Sequence, residues 1–170
     1  MQFTKTLLVA TFTASTLLSC AQDKSTRPSP PATAKATLTN GNTITIDYSA
    51  PSIKGRTIGK DIAPFGKVWR TGANEATTIE FTKDATINGK TVKAGKYALF
   101  TIPNESEWTV IINTNAKQWG AGSYKEAEDV ARFSVKPAKN AATEKMNFTV
   151  AENGTVTWAW GEASFAFEVK

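Results

Sequence analysis

The chemistry open to this chain is bounded by two absences. It contains no histidine and a single cysteine, Cys20. Ser-His-Asp hydrolysis, the usual zinc sites and His-ligated haem all need imidazole, so none is available. No Gly-rich phosphate loop follows a strand. The sequence gives no reason to expect a cofactor or a metal. What survives is the chemistry of carboxylates, Lys, Arg, Tyr and Trp.

Carboxylates gather twice. Glu105 and Glu107 share one short polar segment, and Glu126, Glu128 and Asp129 crowd another. A pair flanking a sugar could cleave a glycosidic bond, one as acid and one as base or nucleophile. A cluster could hold calcium, but the alternating acidic ligands and glycine of a calcium loop are absent. Both sets are also what solvated loop charge looks like.

Trp69, Trp108, Trp119, Trp158 and Trp160 offer flat apolar faces on which a sugar or lipid could stack. Trp158 and Trp160 are two apart, so on a strand they point the same way and suit a core face. The densest stretch is Pro64 to Ile79, PFGKVWRTGANEATTI. Trp69 and Arg70 are adjacent, so on extended backbone they face opposite sides. Two arrangements satisfy these residues. In one, Arg70 pairs with Glu75, Glu80 or a carbonyl, and Asn74 caps the Gly72-Ala73-Asn74 turn. In the other, Arg70 and Asn74 grip an anionic or hydroxylated ligand, and Arg56, after Gly55, converges on them.

The elements that must position these groups read as strands. Thr, Val, Ile and aromatics dominate the apolar positions, and turn residues recur at short intervals. That pattern predicts an all-β fold, an antiparallel, jelly-roll-like β-sandwich of about nine or ten strands. Asn40-Gly41, Asn88-Gly89 and Asn153-Gly154 mark hairpins, because these residues tolerate positive φ. The segments they join are 36–39 with 43–48, 85–87 with 90–92, and 145–151 with 155–160. Strands are also expected over 77–82, 97–102, 108–113, 132–137 and 164–169. The runs 97–102 and 108–113 are the most apolar and belong centrally. One or two helical turns fit 124–130.

Residues 1–19 carry Lys5 and an apolar run too short to span a bilayer, the pattern of a secretion signal. Leu17-Leu18-Ser19-Cys20 is a lipobox pattern, with a small residue before the cysteine. This predicts cleavage before Cys20 and acylation there, and so an exported chain held at the cell envelope by lipid, its membrane partner. Residues 20–34 read as a flexible Pro- and Ser-rich tether, leaving 35–170 as one domain. The formal net charge is +5, with lysines scattered among acids. That describes a hydrated surface compatible with anionic headgroups, and nucleic acid is not an expected partner.

Several runs together resemble a bacterial family known as domain of unknown function 2911. They are Asp47 to Arg56, Pro64 to Thr77, Ala94 to Pro103 and Trp108 to Asn113, with Trp119-Gly120 and Tyr124. The resemblance covers about residue 35 onward and is weaker over 138–170. It implies an exported, lipoprotein-type chain and brings no catalytic residue with it. The leading reading is a non-enzymatic binding or structural module for an envelope glycan, lipid or protein. Its candidate binding residues are Arg70, Asn74, Arg56, Trp69, Trp119 and Tyr124. The alternative is a carboxylate hydrolase acting on carbohydrate, and an exposed sheet edge would admit a strand partner.

Overall fold

The computed structural model describes residues 23–170. The signal and Cys20 lie outside the described residues. The strands are β1 (Pro31–Thr37), β2 (Thr43–Ser49), β3 (Thr78–Phe81), β4 (Ala85–Ile87), β5 (Lys90–Val92), β6 (Gly95–Ile102), β7 (Trp108–Asn113), β8 (Asp129–Val135), β9 (Ala138–Val150) and β10 (Thr155–Glu168). All pairings between them are antiparallel. One layer is a six-stranded sheet in the order β1-β2-β3-β6-β7-β8. The facing layer is the long β9–β10 hairpin, and the short β4–β5 hairpin joins its end. There the backbone groups of Thr86 and Lys170 exchange hydrogen bonds of 2.6 and 2.9 Å. The fold is an all-β sandwich, as the strand-and-turn pattern predicts.

Alternation builds the core. Ile44 and Ile46 of β2 sit opposite Phe81 and Ile79 of β3, and all four are fully buried. From the other layer come Trp158, Trp160, Phe165, Phe167 and Val169. Trp158 stacks on Phe165 at 5.1 Å and meets Trp108 at 5.0 Å. The indole N–H groups of Trp158 and Trp160 are buried without an acceptor, so packing alone holds these rings.

Two sequence expectations change. Part of the segment expected to be tether is folded. From Asp23 the chain is part of the fold, with a 3-10 turn over Lys24–Thr26 and β1 beginning at Pro31. β1 is an edge strand, and proline at the first position of an edge strand removes no ladder hydrogen bond. The segments 155–160 and 164–169 are not two separate strands. They are one strand, β10, with register shifts around Gly161, whose φ of 57° bends the chain inside the ladder. The helical turn expected within 124–130 is present as a single 3-10 turn, Glu126–Glu128, leading into β8.

Candidate functional site

The Pro64–Ile79 stretch lies along β6 and separates its side chains by face. Trp69 N–H donates to Thr101 O at 2.7 Å, and Thr101 N–H returns to Trp69 O at 2.9 Å. This extends the sheet next to β3. Trp69 turns inward, stacked on Trp160 at 5.9 Å and edge-on to Trp158 at 6.0 Å. It is core, and no ligand can stack on it. Its neighbour Val68 packs on the opposite, outer face, where Ala76, Ala98, Phe100 and Ile111 form a second small cluster. Ala121 and Tyr124 of the 114–128 loop cover that cluster.

Backbone pairing fixes the loop there. Ala76 N–H donates to Gln118 O at 3.0 Å and Gly120 N–H to Asn74 O at 3.1 Å. Glu75 and Trp119 form the bridge between these bonds. The turn that permits this is strained. Thr71 and Asn74 have φ of 53° and 58°, which costs most at a β-branched residue such as Thr71. Thr71 is held by its hydroxyl contact with Thr101 at 3.1 Å and by the Thr77 hydroxyl donating to its carbonyl at 2.9 Å. Gly72 is required for a different reason. A Cβ there would stand 2.8 Å from Thr77 Oγ1 and 3.3 Å from the Ser49 carbonyl.

Arg70 projects toward this loop, with Nη1 4.0 Å from where a Cβ on Gly120 would stand. It is half-buried. Its Nε–H is buried without an acceptor, and burial pushes the guanidinium below its usual pKa. Among the described residues no carboxylate pairs with it. The other arginines are satisfied. Arg27 binds both Glu75 oxygens at 3.0 Å. Arg132 pairs with Glu126 at 3.0 Å and Asp129 at 3.5 Å. Arg56 donates to the carbonyls of Ile53 and Ser52 at 3.1 and 2.7 Å. Arg56 therefore braces its own turn and does not converge on Arg70.

The other candidates divide. Trp119 is 66% exposed, the most exposed large apolar side chain described. Asn74 is structural, donating through Nδ2 to the Ser29 carbonyl at 3.1 Å. Tyr124 is committed too. Its ring meets Phe100 edge-on at 5.3 Å and its hydroxyl donates to Asp129 Oδ2 at 2.7 Å. Burial, followed by the hydrogen bond to Asp129, raises the Tyr124 pKa. The structure thus gathers Arg70, Asn74, Trp119 and Tyr124 around one loop and leaves only Arg70 and Trp119 uncommitted.

This chain belongs to a known protein family. The family described as "Protein of unknown function (DUF2911)" matches it over residues 29–169. No curated protein and no solved structure matches the chain. The match begins ahead of β1, inside the segment that reads as tether, and so agrees with the ordered start of the fold. It reaches across the 138–170 region where the resemblance is weakest. The family assigns no role to any side chain, so the site rests on its own geometry.

Two groups were not legible beforehand. Gln118 carries a buried Oε1 with no donor, although its Nε2 donates to Asn115 O at 2.8 Å. Nothing in the sequence marks Gln118 apart from its place before Trp119-Gly120. Lys24 and Arg27, which read as tether, both reach Glu75, at 3.1 and 3.0 Å. Desolvation pushes the Glu75 carboxyl up, but its own backbone N–H, Arg27 and Lys24 outweigh this and bring it down to about 2. As for the other carboxylates, Glu105 and Glu107 line an open hollow of about 570 Å³ with Phe65 and Asn104. Glu107 accepts from Ser134 at 2.9 Å.

Proposed function

We propose that this protein is a lipid-anchored binding module of the cell envelope, exported, acylated at Cys20, and holding a small anionic ligand at Arg70. The observation that carries the reading is the unpaired Arg70 guanidinium. Arg70 is half-buried, and a buried donor such as its Nε–H left without an acceptor costs about 1–3 kcal/mol. Every other arginine among the described residues has its partner. Arg70 alone keeps a planar fork of donors open, and that fork suits carboxylate or phosphate oxygens. Trp119 on the paired segment presents an exposed ring near it. The ligand class is thus an acidic envelope glycan or a lipid phosphate, with an acidic side chain of an envelope protein as the macromolecular counterpart.

The test is thermal unfolding of the purified protein against phosphate- and carboxylate-bearing envelope glycans and lipids. A ligand at one hundred times its Kd stabilises the folded state by about 2.7 kcal/mol. Stabilisation of wild type that disappears in Arg70→Met supports the reading. Stabilisation that persists in Arg70→Met places the ligand elsewhere and refutes it. For the anchor, labelled palmitate should enter wild type and fail to enter Cys20→Ser. Absence of label from wild type refutes the anchor.

A second reading, hydrolysis of carbohydrate by carboxylates, draws on Glu105 and Glu107 sharing one hollow. It requires glycan cleavage that Glu105→Gln and Glu107→Gln each abolish. Cleavage unaffected by either variant removes it.

A further inference from the structure

We infer that the loop Thr114–Ala121 is the face the domain turns to the membrane, with Trp119 seated among the lipid headgroups. This rests on the proposed acylation of Cys20. Three peptide units separate Cys20 from Asp23, and at about 3.6 Å each they reach no more than about 11 Å. The acyl chains are therefore rooted close to wherever the fold holds Asp23. That place is beside the loop. Asp23 caps the turn over Lys24–Thr26. Lys24 Nζ lies 3.1 Å from Glu75, and Glu75 bridges to Trp119. Lys24 and Ala116 line one groove of about 200 Å³. Farther along, Arg27 on Glu75 and the Ala50 N–H on the Pro30 carbonyl, at 2.9 Å, keep this segment on the domain.

The surface has the composition a bilayer interface selects. Trp119 is 66% exposed, whereas Trp69, Trp108, Trp158 and Trp160 are buried. Tryptophan gains at the headgroup level, where an apolar ring and a polar N–H are both accommodated. Within 114–121 the only charged residue is Lys117, which is exposed, and such cations are drawn to anionic lipid. Of the acids nearby, Glu75 is neutralised by Lys24 and Arg27, Asp47 pairs with Lys96, Glu126 and Asp129 pair with Arg132, and Glu128 lies 3.8 Å from Lys125.

The burial of the other indoles makes the test direct. The acylated full-length protein is reconstituted into vesicles of mixed zwitterionic and anionic phospholipid. The lipid chains are brominated near their headgroup end. The Trp119 signal is the difference between wild type and Trp119→Phe. Mass spectrometry of the N-terminal peptide reports acylation in the same sample. The expected result is a blue-shifted Trp119 emission, quenched by the brominated lipid and absent from Trp119→Phe. Equal quenching in the two proteins, with Cys20 acylated, overturns the orientation and leaves the anchor standing. An unmodified Cys20 overturns both. Shielding of Trp119 from an aqueous quencher in whole envelopes but not on vesicles assigns the loop to a protein partner and overturns the lipid assignment.

Discussion

Glu75→Gln tests whether the segment before β1 is part of the fold. In the wild type Glu75 accepts both Arg27 bonds at 3.0 Å and the Lys24 contact at 3.1 Å. These and its own backbone N–H take its carboxyl from 4.5 to about 2, against a desolvation that pushes the other way. At about 1.4 kcal/mol per pH unit, that change sets an upper bound of about 3 kcal/mol. The Glu75 side chain is 40% exposed, and solvent-exposed pairs measure only about 0.2–1 kcal/mol. Arg27 reaches both oxygens through Nη1 alone, but its side chain is only 20% exposed, so about 1 kcal/mol, the top of that range, is expected. The sign follows from the lowered carboxyl. Above 4.5 Glu75 is ionised both folded and unfolded, and the stabilisation is complete. As pH falls toward 2 the unfolded chain takes up a proton that the folded protein refuses, and the stabilisation drains away. Urea unfolding of wild type and Glu75→Gln across this range should show a gap of about 1 kcal/mol at pH 7 that closes toward pH 2. A gap that is absent at pH 7, or that stays constant down to pH 2, refutes the clasp.

Other outcomes follow from the same geometry. Arg70→Met removes an unpaired buried donor while keeping the length of the side chain, so it should raise stability by about 1 kcal/mol in urea unfolding; a loss of similar size would reveal a hidden partner. Gly72→Ala forces a Cβ against Thr77 and should cost about 1–3 kcal/mol, visible as a lower midpoint at unchanged slope. Trp160→Ala opens a cavity beneath Trp69 and should cost about 3–5 kcal/mol. The double variant Lys24→Ala, Arg27→Ala strips two cations from Glu75 without touching Arg70. It should weaken anion binding at Arg70 in low salt, and 1 M salt should erase the difference, because the Debye length there is about 3 Å.

The legible part of the fold was written in turns and alternation. Asn88-Gly89 sits at φ of 47° and 77°, the conformation its residue types favour, and β4 and β5 fall where the pair predicts. The Trp158–Trp160 spacing set both rings on the core face. Where local composition and tertiary pairing disagree, the reading failed. Pro28-Ser29-Pro30-Pro31 has the composition of a linker, yet β2 offers Pro31 an edge that asks nothing of its missing N–H. Two strands are expected over 155–160 and 164–169, yet β9 continues opposite Gly161 and joins them, with a bend, into β10. Trp69 opposing Arg70 was legible from alternation alone. Which of Arg70's proposed partners would be occupied was not, because occupation depends on residues distant in the chain.

That dependence joins the two misreadings into one. Glu75 is the acid nearest to Arg70 in sequence, and pairing the two is the economical expectation for an isolated GANEAT turn. It fails because Glu75 is already held by Arg27 and Lys24, from the segment ahead of β1. The segment that composition assigns to a tether is thus the one that occupies the carboxylate nearest to Arg70 in sequence. Asn74 completes the arrangement. Its side chain ties down Ser29 of that same segment while its carbonyl ties down Gly120, next to Trp119. A single strained turn therefore holds the N-terminal segment through Asn74 and Glu75 and the exposed loop through its backbone. An unpaired Arg70 and a Trp119 presented to solvent are two consequences of that one junction, and a change in how the N-terminal segment docks must reach both.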